Sequence, residues 1–217
     1  MTDIRYRPHD LLKLRRCPVA VDAPAWAHDA FAHAAFAVVR RAPAAPGTVA
    51  VGLRGTTRAE RYGAYIDEND VETSVPPERL VRALPNPGRD SLAPFTLLRA
   101  LADNPCLSSY EWGPTGSTAF ELATGIPTIT PSSDLDLLIR TPAALSHDQA
   151  EALQVELQAC AARAGVRIDV QLETPAGGVA LAEWAMRKSL TMVKSADGPR
   201  LVADPWSAGP AHASGDD

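Results

Sequence analysis

The chain has 217 residues, which suits one large domain or two small ones. Its 46% hydrophobic and 22% charged composition is that of a globular protein with a real core. A formal net charge of -5 supplies no global attraction to nucleic acid or a membrane surface, so any polyanionic ligand must be held by a local cluster of Arg and Lys.

In chain order, "AWAHDAFAHAAFAVV" (25–39) reads as a helix closed by Pro43 and Pro46. "GTVAVGLRG" (47–55) reads as a short buried strand, and "VPPERLVRAL" (75–84) as a short helix with proline near its first turn. "PNPGRDSLAP" (85–94) has the Pro, Gly and Ser density of a linker, and "FTLLRALAD" (95–103) has the leucine spacing of a helix. "YEWGPTGS" (110–117) reads as a strand ending in a turn. "TAFELATG" follows as a helical turn or two stopped by Gly125, then "SDLDLLIR" (133–140) as a strand.

Ser146 and Gln149 form an S-x-x-Q capping box for a helix reaching Ala164, with Gly165 as its stop and Leu153, Leu157 and Ala161 on its buried face. "VRIDVQL" (166–172) alternates as a strand, "LAEWAMRKS" reads as a helix, and "LTMVKSADGPRLVADPW" as a hairpin turning at Asp197-Gly198. The expected organisation is an N-terminal unit over 1–88, a catalytic unit over 89–207 and a disordered tail over 208–217.

Cys17, Cys106 and Cys160 are far apart, odd in number and contain no CxxC pair, which points to a reducing compartment rather than a zinc knuckle or disulfide framework. The start "MTDIRYRPHD" has no secretory apolar stretch, and no run approaches the roughly 18 apolar residues of a spanning helix. A cytoplasmic location is expected, with no membrane and no nucleic-acid partner.

The chemistry concentrates in "GSTAFELATGIPTITPSSDLDLLIR" (116–140). Successive strand side chains point to opposite faces, so Asp134 and Asp136 share one face about 7 Å apart while Leu135 and Leu137 take the other. Two like charges that close repel unless a cation lies between them, and magnesium, or manganese, with its preference for hard oxygen ligands, resolves the conflict. "VRIDVQL" repeats the pattern, with Val166, Ile168, Val170 and Leu172 on one face and Arg167, Asp169 and Gln171 on the other. If the two strands are neighbours, Asp169 joins Asp134 and Asp136 as a third acidic ligand. Three such carboxylates suit two metals about 4 Å apart at an in-line phosphoryl displacement. Upstream, Gly116 allows close backbone approach and Ser117 opens a helix whose N-terminal N–H groups suit a phosphate. A D-x-D on a strand is also a common solvated face; the upstream Gly-Ser turn and the third aspartate favour metal-dependent phosphoryl or nucleotidyl transfer.

A turn Gly-Ser followed by D-x-D on one strand and Asp on a later one resembles the nucleotidyltransferase superfamily typified by DNA polymerase beta. Sixteen residues lie between Ser117 and Asp134, more than that superfamily's usual gap. The longer string "WGPTGSTAFELATGIPTITPSSDLDLLIR" resembles the malonate decarboxylase holo-acyl-carrier-protein synthases, the phosphoribosyl-dephospho-CoA transferases. "VGLRGTTRAERYGAY", "VPPERL" and "DGPRLVADPW" extend the resemblance over most of the chain.

The resemblance implies an α/β (α+β) protein: a nucleotidyltransferase-like mixed sheet with helices, plus a smaller N-terminal α/β domain making substrate or carrier contacts. It implies that triphosphoribosyl-dephospho-CoA is the donor and that a serine of the apo acyl-carrier subunit of malonate decarboxylase is the acceptor. Diphosphate would be the leaving group. Asp134 and Asp136 would hold Mg2+ or Mn2+, Asp169 would be a third ligand or the base assisting the serine, and Gly116 and Ser117 would bind the leaving phosphates. The analogous citrate lyase carrier-modifying transferase, another nucleotidyltransferase, and a non-catalytic carrier-binding module are the alternatives.

Such a donor needs positive partners. Arg54, Arg58 and Arg61 lie in "GLRGTTRAER", with Arg58 and Arg61 one helical turn apart and therefore able to reach one ligand; a solvated loop and helix face is the plainer reading. Arg187 and Lys188 are weaker candidates. The five basic residues of "RYRPHDLLKLRR" suit a solvated surface more than a docking site, and His9 reads as a surface histidine. His28 and His33, five apart, do not share a helix face and make no metal site. Ser74, Ser132 and Ser133 have no His and Asp arrangement that would make a hydrolase triad.

Overall fold

The computed structural model describes residues 5–55, 57 and 59–207, so the expected tail at 208–217 lies outside the described residues. The chain forms two sheets and, among the described residues, five α-helices, an α+β architecture. No helix among them is long and apolar enough to cross a membrane.

The first sheet holds β1 (Leu11–Leu14), β2 (Phe36–Val39), β3 (Thr48–Arg54), β4 (Arg61–Asp67) and β5 (Val71–Val75), in the order β4-β3-β2-β1-β5 with antiparallel pairings. The second holds β6 (Glu111–Pro114), β7 (Leu135–Arg140), β8 (Ile168–Thr174), β9 (Gly177–Ala180), β10 (Thr191–Ser195) and β11 (Gly198–Val202), in the order β11-β10-β9-β8-β7-β6. Only β7 and β8 run parallel, and a parallel pair needs a long crossover. That crossover contains the eighteen-residue helix α4 (His147–Ala164). (The shorter helices are α1, Ala25–His33; α2, Ala93–Ala102; α3, Gly116–Thr124; and α5, Leu181–Ala185.)

Alternation on β7 and β8 divides the second sheet into two faces. Leu135, Leu137, Ile139, Ile168, Val170 and Leu172 point into the main core, against α2, α4 and α5. Removing that much apolar surface from water is the chief force holding this layer together. The opposite face carries Asp136, Leu138 and Arg140 on β7, and Asp169, Gln171 and Glu173 on β8. On that face the first sheet and α3 pack. Leu11 of β1, Leu80 and Ala119 of α3 form a bridging cluster with Phe36, Val38 and Val75 against it.

Charged residues seal the same junction. Arg140, at the end of β7 and with only 6% of its side chain exposed, bonds Asp10 at 3.3 Å and also Glu78. Arg41 pairs with Glu173, and Arg7 makes a forked pair with Glu111 at 3.0 and 3.1 Å. The Arg7–Glu111 pair is exposed, but charges as buried as Arg140 and Asp10 are tolerable only when paired and hydrogen-bonded.

Local expectations and structure agree at several points. The capping box of Ser146 and Gln149 is formed in both directions, and Gly165 and Gly125 end α4 and α3 in left-handed conformations. Elsewhere the structure corrects them. The segment 25–39 is not one helix: α1 ends at His33, Ala34 is extended, and Phe36–Val39 becomes a strand. Its aromatic and β-branched residues alternate in burial and pair with β1 and β3. Residues 75–84 make only a 3-10 turn over Pro77–Leu80. The last hairpin closes with Ser195 opposite Gly198, so Ala196 and Asp197 form its turn.

Candidate functional site

β6 runs antiparallel to β7, with Pro114 opposite Leu137, and Thr115 N–H donates to the Asp136 carbonyl at 2.8 Å. The chain then turns into α3 at Gly116, whose φ of 59° lies in the left-handed region. A Cβ at this position would stand 2.2 Å from Asp136 Oδ2. Only glycine satisfies both the conformation and the approach. The first turn of α3, with Ser117 half-buried in it, is thereby set beside the Asp136 carboxylate. The capping residue Thr115 makes no side-chain bond to the first-turn N–H groups, which carry the positive end of the helix dipole.

Parallel pairing places Asp136 opposite Asp169. Neighbouring strands are about 4.8 Å apart, so these carboxylates share one face of adjacent strands. The strand starts at Leu135, two residues later than expected, so Asp134 stands just ahead of it and does not share a strand face with Asp136 as the alternation implied. Arg167 joins the remaining pair: its guanidinium donates to Asp134 Oδ2 at 2.7 Å and lies 3.9 Å from Asp169 Oδ2. The Asp134 side chain is 28% exposed and that of Asp169 67%, so the site opens to solvent.

Among the described residues, no three His, Cys, Asp or Glu side chains converge on a common point as a ready metal cage. The donor set is nonetheless one that fits a hard divalent cation. It is all carboxylate oxygen, two members are in strand register, and a guanidinium now offsets the charge of Asp134 and Asp169. Such ions take few protein ligands and leave coordination positions for phosphate oxygens.

The other expected binding residues lie elsewhere. Arg54 and Arg61 face one another across the β3–β4 hairpin of the first sheet, both exposed. Arg61 opens a strand, so the helical turn expected to join it to Arg58 does not form there; Arg58 itself lies outside the described residues. Arg187 is held by Asp148 and Glu151 at 2.9 Å from the latter, and Lys188 is exposed beside it.

His9 is not a surface histidine. Its backbone is left-handed at φ 73°, and its Nε2 meets the side-chain amide of Gln171 at 2.8 Å. Gln171 is two residues beyond Asp169 on the same face of β8. Burial and then the nearby charges of Arg41, Arg140 and Lys194 depress the His9 pKa to about 4. The imidazole is therefore neutral near pH 7, and Nε2 accepts the Gln171 N–H.

Sequence reasoning also missed Glu121. In "FELATG" it is the single carboxylate, three residues after Thr118 and thus on the same helical face, which turns out to be buried. Glu121 is only 2% exposed and binds Arg89 and the backbone N–H groups of Thr128 and Ile129.

Comparison with known proteins identifies the family of the chain. Residues 83–205 match the family described as Phosphoribosyl-dephospho-CoA transferase MdcG C-terminal domain, and residues 7–77 match its N-terminal domain counterpart. A phosphoribosyl-dephospho-CoA transferase of Pseudomonas putida (strain GB-1) is 47% identical, the match covering 93% of this chain and 96% of that protein. Proteins of the same name from Pseudomonas aeruginosa and Azotobacter vinelandii are 41% and 39% identical, each match covering 92% of this chain and 93% and 94% of theirs. No solved structure matches the chain. With both parts of the chain matched, and with relatives covering nearly all of it, the chain belongs to the phosphoribosyl-dephospho-CoA transferase family and is a transferase.

Proposed function

We propose that this protein transfers the phosphoribosyl-dephospho-CoA group from triphosphoribosyl-dephospho-CoA to a serine of the apo acyl-carrier subunit of malonate decarboxylase, releasing diphosphate. The observation carrying this reading is the contact of Gly116 with Asp136 at the mouth of α3, in a chain of this family. It brings an anion-seeking helix end against a carboxylate that, by itself, repels a triphosphate. The two tolerate one ligand only if positive charge is added between carboxylate and phosphate.

In this reading Asp134, Asp136 and Asp169 hold Mg2+ or Mn2+, which supplies that charge when bound. The serine oxygen forms a bond to the α-phosphorus while the bond from that phosphorus to the diphosphate oxygen breaks, in line. The serine proton leaves to a carboxylate, Asp169 where it is not occupied as a ligand, or to water. Gly116 lets the backbone approach the phosphates, and Ser117 with the first-turn N–H groups of α3 receives the departing diphosphate. Arg54 and Arg61, with Arg58 between them in sequence, take negative charge of the donor outside the reacting centre. The free thiols of Cys17, Cys106 and Cys160 accord with work in the reducing cytoplasm.

The test is intact mass spectrometry of the apo carrier after incubation with this protein, the donor and Mg2+. A mass gain equal to the phosphoribosyl-dephospho-CoA group, absent with Asp136→Asn, is expected. No gain with a folded protein and a competent donor would overturn the assignment of acceptor and donor.

A further inference from the structure

We propose that Glu121 is a positioning residue, which fixes the segment leading into Asp134 and Asp136 against the phosphate-facing first turn of α3. This rests on the metal reading given above and names the group that sets its geometry.

The connection from α3 to β7 runs from Gly125 to Asp134, with no regular structure to hold it. A side chain from the middle of the preceding helix does so instead. Glu121 Oε2 accepts from Thr128 N–H at 2.7 Å and from Ile129 N–H at 2.8 Å. Both carboxylate oxygens also receive Arg89, through its Nε and, at 3.0 Å, a terminal nitrogen. The same guanidinium donates to the Ile129 carbonyl at 2.7 Å, so one ion pair satisfies both backbone groups of a buried loop residue. Burial pushes the Glu121 pKa up, but the bonds from Arg89, Ile129 and Thr128 outweigh it and hold the carboxyl below its usual range. It is therefore a charged anchor near pH 7.

Two further bonds show what is being anchored. Thr128 Oγ1 donates to the Ser117 carbonyl at 2.9 Å, tying the loop to the first turn of α3. Asn86 donates to the Gly125 carbonyl at 2.7 Å and holds the other end. Beyond Ile129, Thr130 and Ser133 exchange two bonds of 3.0 Å that close the turn immediately before Asp134. The helix end, the loop and the aspartates thus form one connected unit, with Glu121 at its centre. The long interval between Ser117 and Asp134 is accommodated by this clamp rather than by slack chain. A site depends on such support, since a misplacement of about 1 Å at a reacting centre costs on the order of 100-fold in rate.

The experiment compares Mn2+ binding, read by electron paramagnetic resonance of the protein with Mn2+ alone, and hydrogen exchange of residues 126–134. It uses the full chain, Asp136→Asn, Glu121→Gln and Thr128→Val. Glu121→Gln retains the size but loses the charge, and Thr128→Val removes one exposed hydroxyl should the first variant fail to fold. Mn2+ binding that is lost in Asp136→Asn and weakened about tenfold in Glu121→Gln is expected, by analogy with supports of metal ligands elsewhere. Faster loop exchange is expected with it, and Thr128→Val should show a smaller change in both readouts. Binding lost in Asp136→Asn but equal to the parent in the Glu121 or Thr128 variants would overturn the positioning role alone. Absence of Mn2+ binding in the parent chain would overturn the metal reading, and the positioning role with it.

Discussion

Gly116 and Asp136 are in van der Waals contact: a methyl group on the Gly116 Cα would stand 2.2 Å from Asp136 Oδ2. The left-handed φ of 59° adds backbone strain for any other residue. Gly116→Ala is therefore expected to lose about 1–3 kcal/mol of stability from strain. It should also lose on the order of 100-fold in transfer, because Asp136 or the first turn of α3 must move aside. Denaturant unfolding and the rate of carrier modification check the two effects. A variant with normal transfer would show that this contact does not belong to the reacting centre.

The register of Asp136 with Asp169 sets two carboxylates side by side on one face, with Asp134 just ahead. Asp136→Asn removes a ligand while relieving repulsion with Asp169, and Asp134→Asn removes a ligand together with its exposed ion pair to Arg167. Transfer should fall by on the order of 100-fold or more in each. The melting temperature should be unchanged or raised in Asp136→Asn. It should change little in Asp134→Asn, since an exposed pair contributes about 0–1 kcal/mol. Asp169→Asn should behave alike and weaken Mn2+ binding as well. If it abolishes transfer while Mn2+ binds as before, Asp169 is a base and not a ligand.

How far these positions were legible in the sequence depended on the range of the interaction. The Ser146–Gln149 box and the glycine stops at 125 and 165 depend on neighbours a few residues away, and local pattern reveals them. Phe36–Val39 was hidden because an alanine-rich helical run flows into it, and what makes it a strand is pairing with β1 and β3. His9 meets Gln171 across 162 positions and Arg140 meets Asp10 across 130. No periodicity reports such partners. His9 reads as a surface histidine, yet with Asp10 it forms the wall between the first sheet and the strand bearing Asp169. The face that Asp169 takes on β8 is legible, by contrast, because its own strand alternates cleanly, whereas its pairing opposite Asp136 is not.

The wall makes a pH prediction. The pKa of His9 falls from 6.5 to about 4 on folding, so between those values the unfolded chain binds more protons than the folded one. Stability from this group is fully present above pH 6.5 and is lost as pH falls through 4, a total of about 3 kcal/mol. His9→Asn removes the titration while tolerating the left-handed backbone. The difference in unfolding free energy between parent and variant should shift by that amount between pH 7 and pH 4. A difference that is flat with pH would show that His9 keeps an ordinary pKa in the folded protein.

Arg140 tests the junction itself. It stands between Asp10 and Glu78, both contributed by the N-terminal half, and its own side chain is 6% exposed. Removing one member of a buried charge network leaves its partners uncompensated, a loss of about 3–5 kcal/mol. Arg140→Met keeps the length of the side chain and isolates the charge. It should lower the denaturant midpoint accordingly, and because Arg140 shares β7 with Asp136, it should also slow transfer. Adding Asp10→Asn to Arg140→Met removes one stranded carboxylate and should restore part of the stability. The coupling measured in that double-mutant cycle should be between about 0.5 and 3 kcal/mol, the range for groups in one network. Strict additivity of the two substitutions would mean that Arg140 and Asp10 do not interact in solution, and the junction would then rest on its other contacts, among them Arg140–Glu78, Arg41–Glu173, His9–Gln171 and the Leu11–Leu80–Ala119 cluster.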